Sequence, residues 1–221
     1  MFNEWLWIGF AIVNFFMIIA IYKLFGKAGL LVWIGMATVV ANIQVLKQVE
    51  LFGITATLGN IIYGTIFLAT DIINEKYGKD EAKKAVWLGF FTLISMTIMM
   101  QIALRFVPSP YDVVQGSMET IFNLVPQVAL GSLAAYMVSQ HLDVWLFTKI
   151  KNKFPNTLWL RNNGSTLISQ LVDTTIFCSI AFYGTPLTVW FEIYISTYFI
   201  KFLVGIIDTP FFYVAAKWER V

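Results

Sequence analysis

Hydrophobic positions along this chain gather into long runs separated by short polar bridges, and the lengths of the runs predict what they form. Seven apolar segments stand out: 5–24, 29–46, 54–73, 85–104, 121–147, 166–183 and 189–216, each bounded by charge, proline or glycine. A helix needs about 20 apolar residues to cross the roughly 30 Å hydrocarbon core of a bilayer, so most of these runs are long enough to span one. The expected fold is all-α, a polytopic transmembrane helix bundle of about seven spans forming a single transmembrane domain over residues 1–221, with six spans as the alternative count. The stretch "GITATLGN", from Gly53 to Asn60, is the weakest helical signal and is expected to enter as irregular backbone. Pro210 inside the last run predicts a kink near Ile206.

Composition strengthens this reading. Hydrophobic residues make up 58% of the 221 positions and charged residues only 13%, far from the balance of a water-soluble domain. A net charge of +2 argues against a nucleic-acid surface, and the single cysteine, Cys178, excludes a disulfide framework or a cysteine metal site. With the amino terminus outside and seven spans, the inner side receives Lys23, Lys27, Lys76, Lys79, Lys83, Lys84, Lys149, Lys151, Lys153, Arg161, Lys217 and Arg220. The outer side receives only Lys47 and Arg105, an asymmetry of the kind that orients membrane proteins.

The polar residues left inside the runs carry the chemistry. Asn60, Gly64, Phe67, Asp71 and Glu75 follow one another at helical spacing and lie on one face. Thr166, Gln170, Asp173 and Phe177 form an equivalent stripe, as do Tyr194, Thr197, Lys201, Gly205 and Asp208, while Gln127, Gly131, Ala134 and His141 add small and polar groups. An ionisable group well inside a span costs several kcal/mol unless it faces a polar interior, which makes Asp173 a functional candidate. The competing readings are structural: Glu75 as an interfacial ion pair with nearby lysines, Lys201 as a counter-ion to Asp173 or Asp208, and His141 with Asp143 as interfacial groups. Asp71, Glu75, Gln170, Asp173 and Lys201 are expected to border one wet chamber. Carboxylates, amides and aromatic faces together suit a planar heterocycle better than an ion or a sugar.

Enzyme signatures are missing: there is no HExxH, no GxSxG and no glycine-rich phosphate loop. An intramembrane aspartyl pair, Asp71 with Asp173, is the best enzymatic alternative, but no glycine flanks either aspartate as such an enzyme would require. No enzyme activity and no cofactor are therefore expected.

Three motifs in order, "TDIINEKYGKDEAKKAVWLGF" (70–90), "NGSTLISQLVDTTIF" (163–177) and "KFLVGIIDTPFFY" (201–213), resemble the queuosine precursor transporter family, also called the vitamin uptake transporter family of bacterial membrane proteins. The resemblance runs from about residue 42 onward. It implies inner-membrane import of 7-deazaguanines, such as 7-cyano-7-deazaguanine, for salvage into tRNA modification. It also implies a likeness in size and motif placement to the substrate-binding subunits of energy-coupling-factor importers, so a subunit working with a separate ATPase module stays open as the alternative, and a homodimer stays open as an assembly. With the family substrate in mind, Asp173 or Glu75 is expected to accept the ring N–H and exocyclic amine. Asn60, Gln170 and Lys47 or Lys201 would meet the carbonyl and ring substituent, and Phe67 and Phe177 would stack. Asp71 and Asp208 are the remaining candidate contacts; Asp71, Asp173 or Asp208 would be the group that couples a proton to import, with facilitated diffusion followed by intracellular trapping as the uncoupled alternative.

Overall fold

The computed structural model describes residues 2–123 and 126–218. Its elements are, in order, α1 (Phe2–Gln44), β1 (Gln48–Leu51), β2 (Ile54–Thr57), α2 (Asn60–Tyr77), α3 (Lys79–Ala103), α4 (Gln115–Phe122), α5 (Pro126–Lys153), α6 (Leu158–Ala181), α7 (Leu187–Ile207) and α8 (Thr209–Lys217). The helical bundle expected from the runs is what forms. A straight helix of 43 residues would hold its ends about 65 Å apart. Here the ends meet: Asn3 Nδ2 donates to the Glu50 carbonyl and the Phe52 N–H donates to Glu4, both just beyond the far end of α1. The chain reverses at Gly26, whose φ of 56° and ψ of −140° lie outside helical space and suit a residue without Cβ. Residues 2–25 and 27–44 are therefore two antiparallel arms, matching the first two apolar runs.

The expected irregular entry at Gly53–Asn60 is instead half of a β-hairpin. Gln48 pairs with Thr57 and Leu51 with Ile54, antiparallel, around a tight turn at Phe52 and Gly53. Both turn residues have positive φ, 54° and 77°, the requirement of a two-residue turn whose twist matches that of the strands. The run at 54–73 is thus strand, then helix from Asn60. The run expected from Ile121 divides into the exposed α4 and the longer α5, and α6 begins at Leu158, well before Thr166. The kink expected near Ile206 is present: α7 ends at Ile207 and α8 starts at Thr209 with a proline in its first turn, where a missing N–H costs nothing.

Burial departs from that of a protein folded in water. Phe16, Phe91, Met99 and Ile195 are more than half exposed, whereas Asp71, Asp143, Asp173 and Asp208 are at most 2% exposed. Apolar faces turned outward and ionisable groups turned inward are what a bilayer demands. Among the described residues, three stretches, Phe2–Gln44, Lys79–Ala103 and Leu187–Lys217, are by length and composition apolar enough to cross one.

The two ends of the bundle differ. At one, the amino terminus meets the hairpin. At the other, Lys76 donates to the carbonyls of Ala216 and Trp218, Lys23 sits 4.7 Å over the Trp218 ring, and Lys27 pairs with Glu81. Arg220, counted above among the basic groups, and the side chain of Gln127 lie outside the described residues.

Candidate functional site

A cavity of about 280 Å³ opens between the hairpin and the first turns of α2, and reaches inward to α5, α6 and α7. Its mouth is formed by Asn42, Gln48, Thr57 and Asn60, its sides by Tyr63, Tyr136, Phe177 and Phe182, and its floor by Asp173 and Lys201. The volume of about 280 Å³ falls just below the range for ligand sites, which begins at roughly 300 Å³. A second, larger groove between the hairpin and α7 shares Gln48, Thr57, Phe182, Ile193 and Thr197 with the first, so the two voids adjoin at the mouth.

Asp173 is the centre of the floor. Tyr63 Oη donates to its Oδ1 at 2.7 Å and Ser139 Oγ to the same oxygen at 2.9 Å, while Lys201 Nζ donates to Oδ2 and forms a salt bridge. Four helices thus meet at one carboxylate. Lys201 also stands 5.0 Å above the Tyr63 ring, a cation–π contact that fixes both side chains. The close approach of α2 to α7 depends on Gly64, where a Cβ would lie 2.4 Å from Val204 Cγ1. Gly64 thereby sets the spacing of Tyr63 and Lys201. At the mouth, Asn60 Nδ2 donates to Thr57 Oγ1 at 3.3 Å and to the Thr57 carbonyl at 3.2 Å, tying α2 to the hairpin. Phe177 meets Phe182 edge-on at 5.9 Å. Beside this wall, the buried Cys178 accepts the Trp190 indole N–H through its carbonyl.

Of the residues singled out in sequence, Asn60, Asp173, Phe177, Thr197 and Lys201 line the cavity, whereas Phe67, Lys47, Glu75, Gln170, Asp71 and Asp208 do not. Phe67 is fully buried behind Tyr63, at 5.6 Å ring to ring. Lys47 is exposed before β1, and its neighbour Gln48 takes the lining position. Glu75 lies at the basic end in an ion pair, with Lys151 at 3.1 Å and Arg161 at 2.9 Å on other helices instead of the lysines that follow it in sequence. Gln170 is buried with its Oε1 unpartnered, outside the cavity wall. Asp71 and Asp208 are buried nearer the basic end, with Asp71 accepting from Thr166 and Asp208 from Asn162. The single chamber expected to join Asp71, Glu75, Gln170, Asp173 and Lys201 is therefore corrected to separate polar clusters at different depths. Asp143, read as interfacial, is wholly buried and accepts from Ser169 Oγ at 2.7 Å. Sequence reasoning missed Tyr63, Ser139 and Tyr136. Tyr63 was within reach, being one turn from both Asn60 and Phe67 on the same stripe.

Apolar faces outward, buried charge inward and a lined cavity at one end fit a membrane transporter. The family model described as putative vitamin uptake transporter matches residues 57–215, and the chain belongs to that family, one of transporters and not of enzymes. Along 98% of its length it is 57% identical to a probable queuosine precursor transporter of Bacillus subtilis (strain 168), covering 96% of that protein. A probable queuosine precursor transporter of Haemophilus influenzae is 30% identical over 71% of this chain and 66% of its own. The queuosine precursor transporter of Escherichia coli K12 is 27% identical over 76% of this chain and 75% of its own. No solved structure matches.

Proposed function

We propose that this protein imports 7-deazaguanine precursors of queuosine across the bacterial plasma membrane, with Asp173 as the group that recognises them. The observation that carries the reading is the buried carboxylate at the end of an aromatic-sided cavity, in a chain similar over 98% of its length to a probable queuosine precursor transporter. A deazaguanine presents a ring N–H beside an exocyclic amine, a pair of donors that one carboxylate accepts in parallel. A carboxylate has about four lone-pair sites, and three are already engaged by Tyr63, Ser139 and Lys201. Substrate therefore displaces one donor, and Lys201 is the one with somewhere to go: its freed ammonium donates to the ring carbonyl or to the 7-substituent. Phe177 and Tyr136 supply faces for the flat ring.

Seven spans fit the geometry. The amino-terminal turn of α1 and the Lys76–Trp218 contact lie at opposite ends of the bundle, which supports an odd number of crossings. The positive-inside rule assigns the end holding Lys23, Lys27, Lys76, Lys151 and Arg161 to the cytoplasm, so the cavity mouth faces outward. Uptake of labelled 7-cyano-7-deazaguanine by cells unable to make it is the test. Wild-type protein restores queuosine in tRNA at low external precursor and Asp173→Asn does not; equal restoration by both would refute the assignment of Asp173.

A further inference from the structure

Between the cavity floor and the basic end, α2, α5, α6 and the α7–α8 junction bring together three carboxyl groups that substrate recognition does not use. Asp71, Asp143 and Asp208 are each at most 1% exposed. Their donors are neutral: Thr166 Oγ1 to Asp71 Oδ2 at 3.4 Å, Ser169 Oγ to Asp143 Oδ1 at 2.7 Å, and Asn162 Nδ2 to Asp208 Oδ1 at 2.9 Å. Thr166 and Ser169 stand one turn apart on α6, which sets the carboxyl groups of Asp71 and Asp143 side by side, and Asn162, one turn before Thr166, brings in Asp208. The wholly buried Asn162, which holds Asp208 in place, has its Oδ1 unpartnered, and so are Asp71 Oδ1 and Asp143 Oδ2. The shortage is thus of positive hydrogen, since each of these oxygens can only accept. Two carboxyl oxygens hydrogen-bond each other only with a proton between them. A metal ion is the poorer occupant, because no group of three or more His, Cys, Asp or Glu side chains among the described residues is arranged to hold one.

The charged groups on the surrounding helices are committed elsewhere. Glu75 on α2 pairs with Lys151 on α5 and Arg161 on α6, and Lys201 on α7 pairs with Asp173. On α1, which packs against α2 and α8, Lys27 pairs with Glu81 and Lys23 covers Trp218, the residue just beyond α8.

We propose that Asp71 and Asp143, steadied by Asp208 and Asn162, bind a proton that crosses the membrane with the substrate, so that import is driven by the proton gradient. The proposal rests on the import reading above. In one cycle a proton from outside adds to the carboxylate pair, the loaded carrier reorients, and the same proton leaves to the cytoplasm, regenerating the carboxylate; no other bond is made or broken.

The test uses the whole protein in liposomes containing a pH-sensitive dye. Wild-type protein acidifies the lumen when 7-cyano-7-deazaguanine is added outside, and accumulates the labelled compound against its gradient when the lumen is alkaline. Asp143→Asn keeps exchange of labelled for unlabelled precursor but loses gradient-driven accumulation by tenfold or more. Precursor entry by wild type without acidification, accumulation driven by a sodium gradient at equal pH, or undiminished accumulation by Asp143→Asn overturns the proposal. The wild-type dye measurement decides the matter alone if Asp143→Asn does not fold. Failure of wild-type protein to exchange the precursor at all overturns the import reading, and the proton site with it.

Discussion

Asp173 and Lys201 form an ion pair buried at 2% and 6% exposure, and such a pair has two separable roles. Breaking it from one side leaves an uncompensated charge, at a cost of about 3–5 kcal/mol. Asp173→Asn and Lys201→Met are each expected to lower the thermal midpoint of the purified protein. The double variant regains most of that stability, because neither charge is left alone, yet remains inactive in uptake. A double variant that transported normally would make the pair structural only. Tyr63→Phe removes one donor to a charged acceptor and is expected to weaken precursor affinity by roughly tenfold, about 1.4 kcal/mol, read by binding calorimetry. At this scale the sequence was informative where an ionisable group interrupts an apolar run, as at Asp173 and Lys201. It was silent on Ser139 because a serine on a membrane helix is common and its partner is set only by how α5 packs on α6. Asp143 was misplaced because His141 and Lys149 suggested a span end, whereas α5 continues to Lys153 and carries Asp143 well inside.

Helices and the hairpin fix how far each side chain reaches. The stripe from Asn60 to Glu75 was legible as one face of α2, but fifteen residues of helix cover about 22 Å, and one face can serve several depths. Periodicity reports direction and not depth, which is why a correct stripe gave an incorrect common chamber. The hairpin was hidden for a different reason: four-residue strands give too little alternation to be told from a helix start. Gly64→Ala is expected to push α7 from α2 against Val204, lowering both thermal stability and uptake, whereas Gly116→Ala, where a Cβ meets nothing within 4 Å, leaves both unchanged. Gly26→Ala places a side chain at φ 56° and is expected to destabilise by about 1–2 kcal/mol, seen as a lower thermal midpoint.

For the molecule as a whole, one end holds the open cavity and the other is drawn shut by Glu75 with Lys151 and Arg161, joining α2, α5 and α6. That asymmetry is the one an alternating carrier shows when loaded from the cavity side. Glu75→Gln loosens the closed end and is expected to shift the population toward the opposite opening, raising protease or label access from the basic end. The helical bundle, the basic end and the family were all readable from sequence because each is a property of length, charge or linear motif. Where the runs cross one another was not, since that depends on the reversal at Gly26 and the break at Asp208. Liposomes holding this chain alone are expected to accumulate precursor with no response to ATP; a requirement for a co-purifying ATPase would instead favour the subunit alternative.

The lone thiol of Cys178 is sealed inside the bundle. The unaltered chain is therefore blind to maleimide dyes, and needs no prior removal of native sulfur before spectroscopic work. Two reporters attached through new cysteines, one at the hairpin tip and one on the outer turn of α7, would turn the breathing of the entrance into a fluorescence distance, followed molecule by molecule as substrate arrives.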